Sequence, residues 1–184
     1  KKALPLLKAS KGRAFVLATS LKSMEEIGAL LKDELKKNEI NYPVITQGEG
    51  PKSDLLQQFK KHGNAILIGS LSFWEGIDVR GPALSLVIID KLPFQSPGDP
   101  VFESKIKLLS EEGINAFMSM QLPEAIIRLK QGVGRLIRDD NDKGVMVICD
   151  KRIIEKSYGI KIWKSLPPFK RTRNESAVIN FLEE

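Results

Sequence analysis

The sequence predicts an α/β domain built as a three-layer sandwich, with helices on both faces of a central, mostly parallel sheet. Three observations carry that prediction. Short apolar runs of strand length alternate with amphipathic stretches of helix length. Several of the runs are apolar along their whole length, as strands covered on both faces must be. The chain has 184 residues, which suits one domain and leaves little room for two.

The strands expected are Ala14–Thr19, Pro43–Gln47, Asn64–Gly69, Ala83–Asp90 and Gly144–Asp150. Between the first two, Ser23–Asn38 reads as a helix with Ile27, Leu30, Leu31 and Leu35 on one face, opened by a Ser23/Glu26 capping box. Ser53–His62 reads as a second helix, started by Pro51 and Ser53 and stopped by Gly63. The connection from Leu92 to Leu122 is long and opens with a Pro/Gly-rich stretch, which suggests a functional or docking role, with helix over Val101–Glu112. Pro123 and Glu124 start a further helix. After Pro167-Pro168 comes a tail, 167–184, with a final amphipathic turn over Glu175–Glu184. Its apolar residues Val178, Ile179, Phe181 and Leu182 are expected to dock on the domain itself, the alternative being a partner-binding surface.

Lys and Arg number 29 against 23 Asp and Glu, a net charge of +6. Such an excess suits a phosphate-rich partner, because basic side chains displace counterions from nucleic acid, but it also fits an ordinary solvated surface. Cys149 and His62 are single, so a disulfide framework or a zinc or iron–sulfur cage made from this sequence alone is excluded. Cys149 follows an apolar run and is expected to be a buried strand residue; His62 is expected to be a solvated helix end. No run approaches a membrane span, and Lys1-Lys2-Ala3-Leu4-Pro5 lacks a signal-peptide pattern. The chain is expected to be a piece of a longer polypeptide.

The strongest chemical signal is Gln131-Gly132-Val133-Gly134-Arg135-Leu136-Ile137-Arg138. The helix begun at Pro123 is expected to run through it, so that Arg128, Gln131, Arg135 and Arg138 share a stripe ~80° wide at about 100° per residue. Leu122, Ile126, Leu129, Val133 and Leu136 then fall opposite, as core. A row of guanidinium groups suits the spread charge of a transferring phosphoryl group. Gly132 and Gly134 cost roughly 1 kcal/mol each relative to Ala in a helix, so something large is expected to approach the backbone there. A second signal, Ser70 to Gly81, follows a strand and holds two carboxylates, Glu75 and Asp78, with the aromatic pair Phe73-Trp74. In doubly wound sheets ligands bind beyond the strands' carboxyl ends, although that pair would also serve as core. A third, Ala18-Thr19-Ser20, offers hydroxyls and N–H groups to an anion. No Gly-x-x-x-x-Gly-Lys-Ser/Thr phosphate loop is present, and Asp33-Glu34 lies among lysines in a helix as a solvated charge cluster. The sequence holds one half of an ATPase site.

Gln131 to Arg138 resembles motif VI of superfamily 2 helicases, Ser72 to Gly81 their motif V, and Phe15 to Ser20 their motif IV. Lys91-Leu92-Pro93-Phe94, Cys149-Asp150-Lys151-Arg152, Tyr158-Gly159 and Ser165-Leu166-Pro167-Pro168 are similar to the DinG-type relatives of XPD, and Phe73 to Gly76 with Arg171-Thr172-Arg173 to the YoaA branch. The resemblance covers nearly the whole chain. It implies the second RecA-like motor domain of an iron–sulfur DNA helicase, ATP-dependent and 5′-to-3′, from bacterial cytoplasm. By the same resemblance Arg138 is the arginine finger, Arg135 contacts the γ-phosphate, and Gln131 holds water or phosphate. Glu75, Gly76, Asp78 and Gly134 belong to the nucleotide pocket and its link to the DNA track, while Thr19, Ser20 and Ser72 touch DNA phosphates. ATP and Mg2+ would be shared with a first RecA-like domain elsewhere in the polypeptide, which would also carry the iron–sulfur cluster. Single-stranded DNA, and a replication accessory subunit at the tail, are the implied partners. The rival reading is a non-catalytic adaptor that keeps the RecA fold.

Overall fold

The structure is a computed structural model and describes residues 3–70, 73, 79, 84–95, 98–134, 136–137 and 143–184. In chain order the elements are α1 (Leu4–Ala9), β1 (Ala14–Ala18), α2 (Leu21–Lys37), β2 (Val44–Thr46), α3 (Lys52–His62), β3 (Ile66–Ser70) and β4 (Leu86–Ile89). There follow α4 (Pro100–Glu111), a π-helical turn (Phe117–Gln121) that runs straight into α5 (Leu122–Val133), β5 (Val145–Ile148), α6 (Arg152–Glu155), α7 (Gly159–Ser165) and α8 (Glu175–Glu183). All five expected strands are present; four are trimmed by one to four residues, and β3 begins two residues later and ends one residue later than expected. They form one parallel sheet in the order β2-β3-β1-β4-β5.

The sheet is buried on both faces, and the period-two alternation of strand side chains divides the core. Ala14, Val16 and Ala18 of β1, Ile66 and Ile68 of β3, and Leu86 and Ile88 of β4 pack with α1, α2 and α8. Phe15, Leu17, Leu67, Val87 and Ile89 face the other way, onto α3, α5 and α7. Edge strand β5 is only half-buried. The final helix docks on the domain as expected: Leu182 is buried, and Val178 and Ile179 pack against the core. Phe181 instead points outward, 40% exposed.

Helix α2 departs from expectation at its start and in its buried face. Ser20, not Ser23, is the cap, its hydroxyl accepting from the Ser23 N–H at 3.1 Å. The buried line is Met24, Gly28 and Leu35, with Ile27 and Leu31 half-buried, whereas Leu30 is 65% exposed. The helix lies close to the sheet at Gly28, opposite Thr46 and Ile68, and this contact sets its rotation. Helix α3 ends as expected on Gly63, which takes the left-handed conformation at φ +67°. The Asp33 carboxylate makes an exposed ion pair with Lys37 at 2.6 Å, in keeping with a solvated charge cluster. Cys149 is not a buried strand residue: it lies one position past β5 and is exposed.

A Cβ built on Gly28 would meet Thr46 Oγ1 at 3.5 Å and Ile68 Cδ1 at 3.7 Å, ordinary contacts. Gly28→Ala is therefore expected to stabilise the domain by roughly 0.5–1 kcal/mol through helix propensity, seen as a raised urea midpoint with unchanged slope. Leu129→Asp, which places a carboxylate at a site 1% exposed, is expected to leave the domain unfolded under the same conditions.

Candidate functional site

The registers Ala18↔Ser70, Leu17↔Ile89 and Ile89↔Ile148 bring the carboxyl ends of β3, β1, β4 and β5 to one edge of the sheet. Thr19 and Ser20 follow β1, Asp90 and Lys91 follow β4, and Cys149 and Asp150 follow β5. After β1 the chain turns into α2 on one face of the sheet, while after β4 it leads to α5 on the other. A crevice opens where neighbouring strands diverge in this way. It is lined by Leu17, Ala18, Thr19, Ile89, Lys91, Pro93, Arg128, Leu129 and Gly132. The structure thus brings Thr19 together with the helix of the arginine stripe.

The stripe itself is shorter than the sequence suggests. Helix α5 ends at Val133, with Gly134 as its C-cap and the Leu136 N–H donating back to the Val133 carbonyl. Arg128 and Gln131 lie within the helix, half-buried and exposed respectively, but the helical wheel does not extend to the residues after Gly134. The two glycines fall where the helix stops, which removes most of the propensity cost inferred for them. Gly132 is buried against the crevice, and Gly134 is exposed with an ordinary φ of −62°. The opposite face is core as expected, with Leu122, Ile126, Leu129, Val133 and Leu136 all buried. Leu136 reaches that core from beyond the helix end.

Arg135, Arg138, Ser72, Glu75, Gly76 and Asp78 lie outside the described residues. Of the Ser70–Gly81 stretch, Phe73 and Val79 are described and both are buried. The Phe73 ring lies under the Lys52 ammonium at 5.2 Å, so this aromatic serves as core. Thr19 and Ser20 are exposed at the edge. The Thr19 hydroxyl donates to Asp90 Oδ2 at 3.4 Å.

Sequence reasoning missed the contact that holds the edge together. Asp150, 8% exposed, accepts from the backbone N–H of Leu92 at 2.9 Å and of Arg152 at 3.0 Å. Its carboxylate also takes a forked ion pair from Arg152, with Nη2 at 2.6 Å and Nε at 2.9 and 3.0 Å. The Arg152 guanidinium in turn lies 5.3 Å from the centre of the Phe94 ring, which packs on Phe117 and Tyr158. The loop after β4 is thereby tied to the end of β5. Burial pushes the Asp150 carboxyl up, but the Arg152 guanidinium and the two N–H donors outweigh it and leave the group below its ordinary 3.8. The same pairing raises Arg152. The only sign in the sequence was Asp150 and Arg152 two residues apart after a strand, a spacing too common to indicate a clasp.

Comparison with known proteins places this geometry. The model of the helicase C-terminal domain matches residues 3–169. The chain belongs to that family. It is 48% identical over 178 residues to the ATP-dependent DNA helicase YoaA of Escherichia coli (strain K12), covering 97% of the chain and 27% of that protein. It is 36% identical over 173 residues to the ATP-dependent helicase DinG of Mycobacterium tuberculosis (strain ATCC 25618 / H37Rv), covering 94% and 25%. A further relative, from Bacillus subtilis (strain 168), is named a 3′-5′ exonuclease DinG, 36% identical over 88% of the chain and 17% of that protein. The chain therefore spans about a quarter or less of the length of these relatives. Among solved structures, an apo XPD matches with a TM-score of 0.64 and 26% identity, over 89% of this chain and 34% of that one. The fold is accordingly RecA-like, as expected.

Asp150→Asn is expected to lower stability by about 1–3 kcal/mol, because Arg152 loses a charged acceptor inside a nearly closed contact. Since the folded carboxyl lies below its ordinary value, its contribution is complete above 3.8 and disappears as pH falls through the folded value. Urea melts should accordingly separate wild type from variant at about pH 7, and the separation should shrink as pH falls below 3.8.

Proposed function

We propose that this helicase C-terminal domain acts as the second motor of an ATP-dependent 5′-to-3′ DNA helicase, closing on a first RecA-like domain around ATP and moving along single-stranded DNA. The observation that carries the reading is the convergence of Thr19, Arg128 and Gly132 on one crevice at the carboxyl edge of the sheet, in a chain that matches the helicase family over 3–169.

In this reading Arg138 supplies the arginine finger, Arg135 contacts the γ-phosphate, and Gln131, exposed in the last turn of α5, orients water or phosphate. Glu75, Gly76, Asp78 and Gly134 couple the nucleotide pocket to the DNA track, and Thr19, Ser20 and Ser72 hold strand phosphates. Planar guanidinium donors and an amide suit phosphate oxygens. ATP supplies the transferring phosphoryl group and Mg2+ neutralises its charge. The phosphate loop, the metal-binding carboxylates and an iron–sulfur cluster would belong to the first motor domain. A replication accessory subunit would meet the tail, where Phe181 is the large apolar residue facing outward.

In the complete polypeptide, Arg135→Ala and Arg138→Ala should each reduce DNA-stimulated ATP hydrolysis by roughly 10³- to 10⁵-fold, the contribution of an arginine finger in related phosphoryl transfer. Arg138→Lys should fail as well, since a point charge does not reproduce the planar fork. Melting temperature serves as the folding control. Near-normal turnover by Arg138→Ala would remove the finger assignment, and robust ATP hydrolysis by residues 1–184 alone would remove the shared site. DNA binding by a wild-type polypeptide without ATP turnover would favour the adaptor.

A further inference from the structure

We infer that Gln47, the residue after β2, is a positioning residue that fixes the start of segment 72–81 through Ser70 and Phe73. The inference deepens the proposed function and rests on it, since that segment carries the residues proposed to couple nucleotide to DNA. Strands β2 and β3 pair in parallel as far as Thr46↔Ile68, and the Gln47 N–H still donates to the Ile68 carbonyl at 2.9 Å. In a parallel ladder that ran on, the next bond would pass from the Ser70 N–H to the main-chain carbonyl of Gln47. Here the Gln47 side chain takes that bond, its Oε1 accepting from the Ser70 N–H at 2.7 Å. The chain then turns out of the sheet at Gly48, where φ is +100°.

The same oxygen accepts from the Ser70 hydroxyl at 2.8 Å. Both lone pairs of the amide oxygen are thus engaged, and chemistry settles which way the amide faces, because a backbone N–H only donates. With its proton directed to Gln47, the Ser70 hydroxyl presents a lone pair to the Phe73 N–H, which donates at 3.3 Å. A chain of hydrogen bonds therefore runs from Gln47 through Ser70 to Phe73. The Phe73 ring closes the arrangement. It is buried beneath the Lys52 ammonium and lies flat enough on Gly69 that a Cβ there would come within 2.9 Å of Phe73 Cδ1. Any residue larger than glycine at 69 would displace the ring.

Gln47 is itself held in place. The Glu49 carboxylate accepts from the Thr46 N–H at 2.8 Å and from the Lys32 ammonium at 2.9 Å, while the Glu49 N–H donates to the Thr46 carbonyl at 3.1 Å. The turn is closed in both directions and braced against α2. Gln47 and Ser70 are half-buried and belong to neither apolar cluster of the core. Their bonds therefore contribute direction more than burial, and what they direct is the backbone just past the end of β3. A shift there would carry over to Ser72, Glu75 and Asp78, and small misplacements of positioned groups lower a rate steeply.

The test uses the complete polypeptide with Gln47→Met, which keeps the length and loses the acceptor, Gln47→Glu, which keeps the acceptor, and Ser70→Ala. ATP hydrolysis is measured without DNA and across a titration of oligothymidylate, together with the KM for ATP and the melting temperature. Gln47→Met and Ser70→Ala should each lower the DNA-stimulated kcat by at least about tenfold, with about 100-fold the scale for a misplacement of ~1 Å. The DNA-free rate and the KM for ATP should stay at the wild-type values. Combined, the two changes should lose little more than the worse one alone, because both cut the same chain of bonds. Gln47→Glu should recover most of the stimulation, since a carboxylate oxygen accepts the same two bonds. Unchanged stimulation in Gln47→Met and Ser70→Ala overturns the inference. A proportional fall of both rates with a lowered melting temperature overturns it too, by reducing the contact to a support of the fold. So does a Gln47→Glu variant as impaired as Gln47→Met. If Gln47→Met does not fold, Ser70→Ala decides. A wild-type polypeptide whose ATP hydrolysis does not respond to DNA would instead sink the parent reading, an outcome distinct from an effect confined to the variants.

Discussion

The structure depends on one constraint: a parallel sheet buried on both faces. Parallel strands need crossover connections, and those connections place helices over each face. The sequence meets the demand with strands apolar at nearly every position, so that Val16 faces α2 while Phe15 and Leu17 face α5. A second consequence follows from the strands all running the same way. Every strand ends at the same edge, and the chain is free to place polar groups there without interrupting the core. Thr19, Ser70, Asp90, Lys91 and Asp150 all sit at that edge because the registers of β1, β3, β4 and β5 put them there.

Polar groups at a sheet edge are also a hazard, because a carboxylate half out of water costs stability unless it is paired. Two acids at this edge meet the hazard differently. Asp150 is nearly closed off and is satisfied by four donor groups from Leu92 and Arg152. Asp90 stays open to solvent and takes single contacts from Thr19 and Lys91. The first arrangement is rigid and fixes the loop that carries Lys91. The second leaves a surface that a ligand can reach. The edge is therefore anchored at β5 and accessible between β1 and β4.

Much of the fold was legible in the sequence because burial on both faces leaves a strong pattern. Strand existence, the core side of the motif helix and the docking of Leu182 followed from apolar spacing, and the Gly63 stop from the glycine itself. The errors came where a single neighbour decided between similar local choices. Ser20 and Ser23 are both competent caps, and the turn out of β1 selected Ser20. Leu30 and Met24 both fit an apolar helix face, and the approach of Gly28 to Ile68 turned Met24 inward and Leu30 outward. Cys149 continued an apolar run in the sequence, but the edge strand stops one residue before it.

The sequence by itself determined the layered α/β class, the existence of the strands and the clustering of phosphate-seeking residue types in short motifs. Those properties depend on periodicity and composition, which are local. Tertiary structure alone decided where the arginine helix ends, which is at Gly134 and not through the motif. It also decided that Arg128 shares a crevice with Thr19 and Lys91, and that Asp150 clasps the loop after β4. The last two join residues between 37 and 109 positions apart, and spacing along the chain carries no record of such meetings. They arise only when the strand order β3-β1-β4-β5 sets distant strand ends side by side.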